Sequence, residues 1–98
     1  MTPEAKVKKK VVSILKEVGA YYFYPVTGGY GRSGVPDIIV CHKGKFVGIE
    51  CKAGKNKPTA LQQKNLHDII EAGGIALVIN EGSISLVEAI FKQTLDGE

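Results

Sequence analysis

Apolar residues recur at helical spacing early in the chain. Val7, Val11, Ile14, Leu15 and Val18 fall every three or four positions, which predicts an amphipathic helix. Thr2-Pro3 ahead of them supplies a capping hydroxyl and then a proline at the first helical position, and Gly19 ends the run. Tyr21-Tyr22-Phe23-Tyr24 is aromatic and strand-prone, and Pro25 closes it. Gly28-Gly29-Tyr30-Gly31-Arg32-Ser33-Gly34 reads as a loop. Two strands follow, roughly Asp37 to His42 and Lys45 to Lys52, around Lys43-Gly44. Ala53 to Pro58 is a basic loop. Thr59-Ala60-Leu61-Gln62 has the capping-box pattern and opens a helix through Leu66, Ile69 and Ile70 to Gly73-Gly74. Ile75 to Asn80 is an apolar run, expected to be a central strand. Ser85-Leu86-Val87-Glu88 repeats the capping-box pattern and predicts a terminal helix with Ile90, Phe91 and Leu95.

The element order is therefore α-β-β-β-α-β, then α. Hairpins make the first three strands antiparallel. The later strand-helix-strand passage implies a right-handed parallel crossover. The expected fold is α/β: a mixed sheet with helices against it.

At 98 residues the chain is expected to form one domain, residues 1–98. Its longest apolar stretch, Ile75-Ala76-Leu77-Val78-Ile79, is far too short for a membrane span. The segment after the N-terminal lysines, Val11-Val12-Ser13-Ile14-Leu15-Lys16, is too quickly charged for a signal-peptide core. Two cysteines without a CxxC fit neither a disulfide framework nor a zinc cluster. A cytoplasmic protein is expected.

The net charge of +3 hides an asymmetry. Residues 1–57 hold eleven lysines and arginines against four carboxylates; residues 58–98 hold two against six. A basic half points to a polyanion such as nucleic acid, with a solvated lysine surface as the competing reading.

The hairpin fixes where chemistry can occur. If Lys43-Gly44 is a two-residue turn, His42 faces Lys45. Counting back along both strands sets Asp37 opposite Glu50, about 5 Å apart on one face. Lys52 shares that face, while Ile38, Val40, Val47, Ile49 and Cys51 form a core list on the other. Two facing carboxylates repel unless a cation lies between them, and paired oxygens suit a hard divalent ion. With Lys52 beside it, such a site fits phosphodiester hydrolysis. The alternative is a pair of solvated strand-end carboxylates.

Glu4 lies on the stripe of the first helix and Gln62 on that of the helix after the basic loop. Each has two readings. Both helices aim a polar tip at the sheet edge, or Glu4 answers the helix dipole and Gln62 closes its capping box. Arg32 and Ser33 suit phosphate contact, as do Lys55 and Lys57, which are nearer the acidic pair than the N-terminal lysines. Gly29-Tyr30-Gly31-Arg32-Ser33-Gly34 matches a dinucleotide fingerprint, but Val35-Pro36 leads into a strand where that motif needs a helix. His42 and His67 are expected on the surface. Cys41 and Cys51 are expected on opposite faces, and the tyrosines in the core or a dimer interface.

The ordered set Gly34-Val35-Pro36-Asp37, Glu50-Cys51-Lys52 thirteen positions after Asp37, and Thr59-Ala60-Leu61-Gln62 resembles the PD-(D/E)XK nuclease superfamily. More narrowly it resembles the virus-type replication-repair nuclease (VRR-Nuc) family in its stand-alone phage or prophage form. The resemblance spans Pro3-Glu4 to the strand at Ile75. It implies a restriction-endonuclease-like core and an endonuclease using Mg2+ or Mn2+. Asp37, Glu50 and the backbone carbonyl of Cys51 would hold the metal, with Glu4 direct or through water. Lys52 matches the catalytic lysine and Gln62 the glutamine after that strand. It further implies a homodimer acting on branched DNA, resembling Holliday-junction resolvases, in a bacterial or phage-infected cell. A non-catalytic DNA-structure binder on the same fold is the alternative.

Overall fold

The computed structural model describes residues 1–26 and 31–94. Helix α1 (Pro3–Val18) begins where Thr2 Oγ1 accepts a hydrogen bond from the Ala5 N–H at 3.1 Å, and Gly19 at φ +76° ends it. Strands β1 (Tyr21–Phe23), β2 (Ile38–His42), β3 (Lys45–Cys51) and β4 (Ile75–Ile79) form one sheet in that order. The β1–β2 and β2–β3 pairs are antiparallel. β3 and β4 are parallel, joined through helix α2 (Ala60–Glu71). Helix α3 (Ile84–Ala89) follows and continues as a π-helical turn over Ile90–Thr94. This is the expected mixed α/β architecture and element order.

The core lies between the sheet and α1 with α3. Val11, Leu15, Ile38, Val40, Val47, Ile49, Cys51, Ile79, Val87 and Phe91 have no exposed surface. The five residues assigned to this face by the hairpin count are all among them. On the opposite face α2 comes down onto glycine. A Cβ on Gly48 would stand 2.7 Å from Ile69 Cδ1, and one on Gly74 would stand 2.9 Å from Ile69 Cγ2. No described helix is long and apolar enough to cross a membrane.

Several expectations need correction. β4 is an edge strand, not a central one. Its apolar run answers to covered faces rather than flanking strands: Ile75 and Leu77 pack on the core, and α2 lies across the other side. Val78 is left 43% exposed. Helix α3 starts before the predicted capping box. Ser83 holds its N-cap position but turns its Oγ to accept from the Asn80 N–H at 3.0 Å, so Ser85 lies inside the helix. Ile70 is exposed, because α2 turns Asn65, Leu66 and Ile69 inward instead. His42 is buried and its ring lies 5.7 Å from that of Phe91. It alternates with Ile38 and Val40, which places it on the core face. Among the described tyrosines only Tyr22 packs on the core; Tyr21 and Tyr24 are exposed. Both cysteines are free, Cys41 exposed and Cys51 buried. Of the predicted glycine loop, Gly28, Gly29 and Tyr30 lie outside the described residues, as does Leu95.

Candidate active site

The β2–β3 turn is built by Lys43 at φ 52° and Gly44 at φ 82°, both left-handed, as a two-residue hairpin with right-handed twist requires. The resulting ladder runs from His42↔Lys45 to Ile38↔Ile49. One step beyond it stand Asp37 and Glu50, the register expected from sequence. Pro36 has no N–H to extend the ladder. Asp37 substitutes its side chain: Oδ2 accepts from the Cys51 N–H at 2.8 Å. A residue's N–H and C=O leave an extended strand on the same side. The Cys51 carbonyl is therefore turned toward Asp37, while the Lys52 N–H bonds Ile79 O at 2.9 Å on the β4 side.

Glu50 is 1% exposed, which removes the solvated-carboxylate reading for it. Its Oε2 lies 3.4 Å from Lys52 Nζ, and the Lys52 side chain is itself largely covered. Its Oε1 is buried with no hydrogen-bond partner among the described residues. The Glu50 carboxyl is pushed up to about 7: burial is the largest cause and the Asp37 charge adds to it, Lys52 opposes through charge and hydrogen bond, and Glu4 adds a last increment. An orphaned carboxylate oxygen is costly in a protein interior. Two carboxylates, one of them with an unsatisfied oxygen, and a carbonyl form an all-oxygen donor set that fits a hard divalent cation. Among the described residues no three His, Cys, Asp or Glu side chains group closely enough to hold a metal by themselves. The carbonyl or water must complete the set. Burial and Asp37 push the Cys51 thiol up to about 12, with Lys8 opposing, so Cys51 is inert packing rather than a nucleophile.

Glu4, half-buried in the first turn of α1, lines a cleft of about 440 Å³ with Lys8, Ala53 and Asn56. Gln62 closes its capping box: Oε1 accepts from the Thr59 N–H at 2.9 Å, and Thr59 Oγ1 accepts from the Gln62 N–H at 3.2 Å. Its side chain is occupied there, and α2 is where its nearest contacts lie. Arg32 and Ser33 are likewise tied to α2. Arg32 pairs with Asp68 at 2.8 Å, and the Ser33 carbonyl accepts from Asn65 Nδ2 at 3.0 Å. Gly34 makes that approach at φ +75°, where a Cβ would stand 2.6 Å from Leu61 Cγ. Lys55 and Lys57 are exposed on the loop after β3. That loop is braced by the Gly54 N–H to Glu81 Oε1 bond at 2.7 Å and by Asn80 Nδ2 to Gly54 O at 3.3 Å. Two contributors escaped the sequence reading: Asn65 and Glu81. Lys8 is among the N-terminal lysines that the sequence ranks below Lys55 and Lys57 as phosphate contacts; it lies one helical turn after Glu4 on the same side. Nothing in the sequence pattern marks Asn65 or Glu81.

Comparison with known proteins adds three findings. The family model described as archaeal Holliday junction resolvase (Hjc) matches residues 4–80. The chain is 29% identical over 85 residues to “Putative nuclease p44” of Acyrthosiphon pisum secondary endosymbiont phage 1, covering 86% of this chain and 89% of that protein. A solved structure titled VRR_NUC domain superposes with a TM-score of 0.74 at 22% identity, over 95% of this chain and 98% of the other, and so shares the fold.

Proposed function

The chain belongs to the archaeal Holliday junction resolvase family, and from that premise we propose that it is a divalent-metal-dependent endodeoxyribonuclease that cuts branched DNA. The observation that carries this reading is the buried, unpartnered Glu50 Oε1 beside Asp37 and Lys52. Asp37, Glu50 and the Cys51 carbonyl hold Mg2+ or Mn2+, with Glu4 completing the set from α1. The ion supplies a polarised phosphate and a more acidic water. The Lys52 ammonium, 3.4 Å from Glu50 in the metal-free site, would stabilise charge gathering on the phosphoryl oxygens. Gln62 sets the start of α2 beside the strand that carries these groups. Lys55, Lys57, Arg32 and Ser33 meet the DNA backbone. Those contacts position the duplex without reading its sequence. The work is done in the cytoplasm of a bacterial or phage-infected cell.

One cleavage panel tests the reading: four-way junction, flap, duplex and single strand, each with chelator, Mg2+ or Mn2+. The junction is expected to be cut fastest and only with metal. Metal-independent cutting refutes the metal dependence; junction binding without any nick refutes the enzyme reading and leaves a DNA-structure binder.

Resolving a junction takes two opposed cuts, which a two-fold homodimer supplies. An apolar face supports that assembly. Tyr21, Phe23 and Phe46 are exposed, and Phe23 and Phe46 border an apolar groove of about 490 Å³ with Val35, Ile39 and Ile69. Sedimentation at micromolar concentration is expected to give twice the 10.5 kDa chain mass. A monomer that still resolves junctions by paired cuts defeats the dimer.

A further inference from the structure

Lys6, Lys9 and Lys10 of α1 are exposed, whereas Lys8 is half-buried. Its Nζ lies 5.7 Å from the centre of the Tyr24 ring. Tyr24 is held in turn by Tyr22, the two rings meeting edge-on with centroids 6.1 Å apart. Tyr22 packs on the core. A continuous stack thus runs from the core to one ammonium group and restrains a side chain that is otherwise among the most flexible. A ring face holds a cation without cancelling its charge, and Lys8 makes no ion pair among the described residues. The group stands in the cleft shared by Glu4, Ala53 and Asn56. The cleft therefore pairs the Glu4 carboxylate with one cation held against a ring face a helical turn away. That spacing suits a polyanion lying across both: one phosphate at the carboxylates, a neighbouring one at the lysine.

We propose that Lys8, set in place by Tyr24, binds a DNA backbone phosphate adjacent to the one that is cut. This rests on the nuclease reading above and adds to it a strand-positioning contact from α1. Arg32, Lys55 and Lys57 reach DNA from loops; Lys8 fixes the strand from the rigid helix that also carries Glu4.

The test uses Lys8→Met, which keeps the apolar stem and removes the charge. The probe is a labelled four-way junction, bound in chelator across a salt series and cut with Mg2+. Lys8→Met is expected to weaken binding by about 5- to 10-fold and to lower the slope of log affinity against log salt by about 1. KM is expected to rise by a similar factor, with kcat within about 2-fold. Lys8→Arg should recover most of the affinity. Tyr24→Leu is expected to lose about half the effect on a logarithmic scale, and Tyr24→Phe to restore it, since the ring face rather than the hydroxyl holds the ammonium. Lys16→Ala, at the far end of α1, serves as the control for general charge loss and should leave KM unchanged. An unchanged salt slope and KM in Lys8→Met, with an active wild type, overturns the proposal and leaves the nuclease reading standing. A fall in kcat alone also overturns it, because a phosphate contact made in the ground state acts on KM. A wild type that neither binds nor cuts any DNA overturns both.

Discussion

Lys52→Ala and Glu50→Gln are each expected to abolish cleavage, a loss of at least about 10³-fold in rate, while junction affinity in chelator stays within a few-fold of wild type. The expectation follows from how these two side chains are placed. Neither belongs to the core cluster, and their charged ends lie 3.4 Å apart. Lys52 keeps Glu50 partly neutralised in the metal-free protein. With a cation bound to Glu50, Lys52 would be available to the phosphate. Removing Lys52 therefore takes a positive charge from the place where negative charge develops, and also leaves a buried carboxylate without its counter-charge. Glu50→Gln removes an anionic ligand but leaves a shape that packs. Single-turnover cleavage of a labelled junction, with a parallel mobility shift in chelator, separates chemistry from binding. Cleavage by either variant at near the wild-type rate refutes the site assignment. A parallel collapse of binding means that the residues hold the fold rather than the reaction.

The site was legible because one turn fixes it. Lys43-Gly44 admits a two-residue hairpin, and from there the parity of β2 and β3 decides which side chains share a face. The same parity places His42 with Ile38 and Val40 on the core side, so its burial could have been read from the spacing; a polar residue at a strand end simply invites a surface reading. The burial of Glu50 could not be read. It depends on how low α2 sits, which is set by Gly48 in β3 and Gly74 just before β4 meeting Ile69. Sheet order is equally hidden from periodicity. Ile75 to Ile79 is apolar because both its faces are covered, and an edge strand with covered faces has the same pattern as a central one. The Lys8–Tyr24 contact joins residues on separate elements, and neither side chain alone distinguishes itself from ordinary surface. The terminal helix was shifted because two serines two positions apart both resemble caps, and the turn at Asn80 takes the first of them.

Metal-free stability should fall as pH rises, and Glu50 should be the cause. Its carboxyl is raised from 4.5 to about 7 in the folded protein. Between those values the folded state holds the proton more tightly than the unfolded state, so folding is favoured at the low end. The contribution of Glu50 is neutral below about pH 4.5, becomes progressively unfavourable as pH rises through about 7, and is then constant. The full excursion is on the order of 3 kcal/mol, at about 1.4 kcal/mol for each pH unit. In chelator, wild type compared with Glu50→Gln should therefore be about equal near pH 5 and less stable by that amount at pH 8, roughly 10 °C or more in melting temperature for a chain of this size. The comparison between the two proteins cancels the other titrating groups. Millimolar Mg2+ or Mn2+ at pH 8 should return about 2 to 3 kcal/mol to wild type by binding only the folded state. Glu50→Gln should lose that gain. Asp37→Asn should lose most of it too, while in chelator it stays as stable as wild type or gains about 0.5 kcal/mol from relieved repulsion. Its amide oxygen can still accept the Cys51 N–H. Thermal melts of the three proteins at the two pH values, with chelator and with metal, decide the matter. A Glu50→Gln curve parallel to wild type between pH 5 and 8 would show that Glu50 is not the group held protonated. An undiminished metal response in both variants would move the cation away from the end of the β2–β3 hairpin. An Asp37→Asn protein that melts well below wild type in chelator would make Asp37 a structural residue whose carboxylate serves the Cys51 N–H and nothing else.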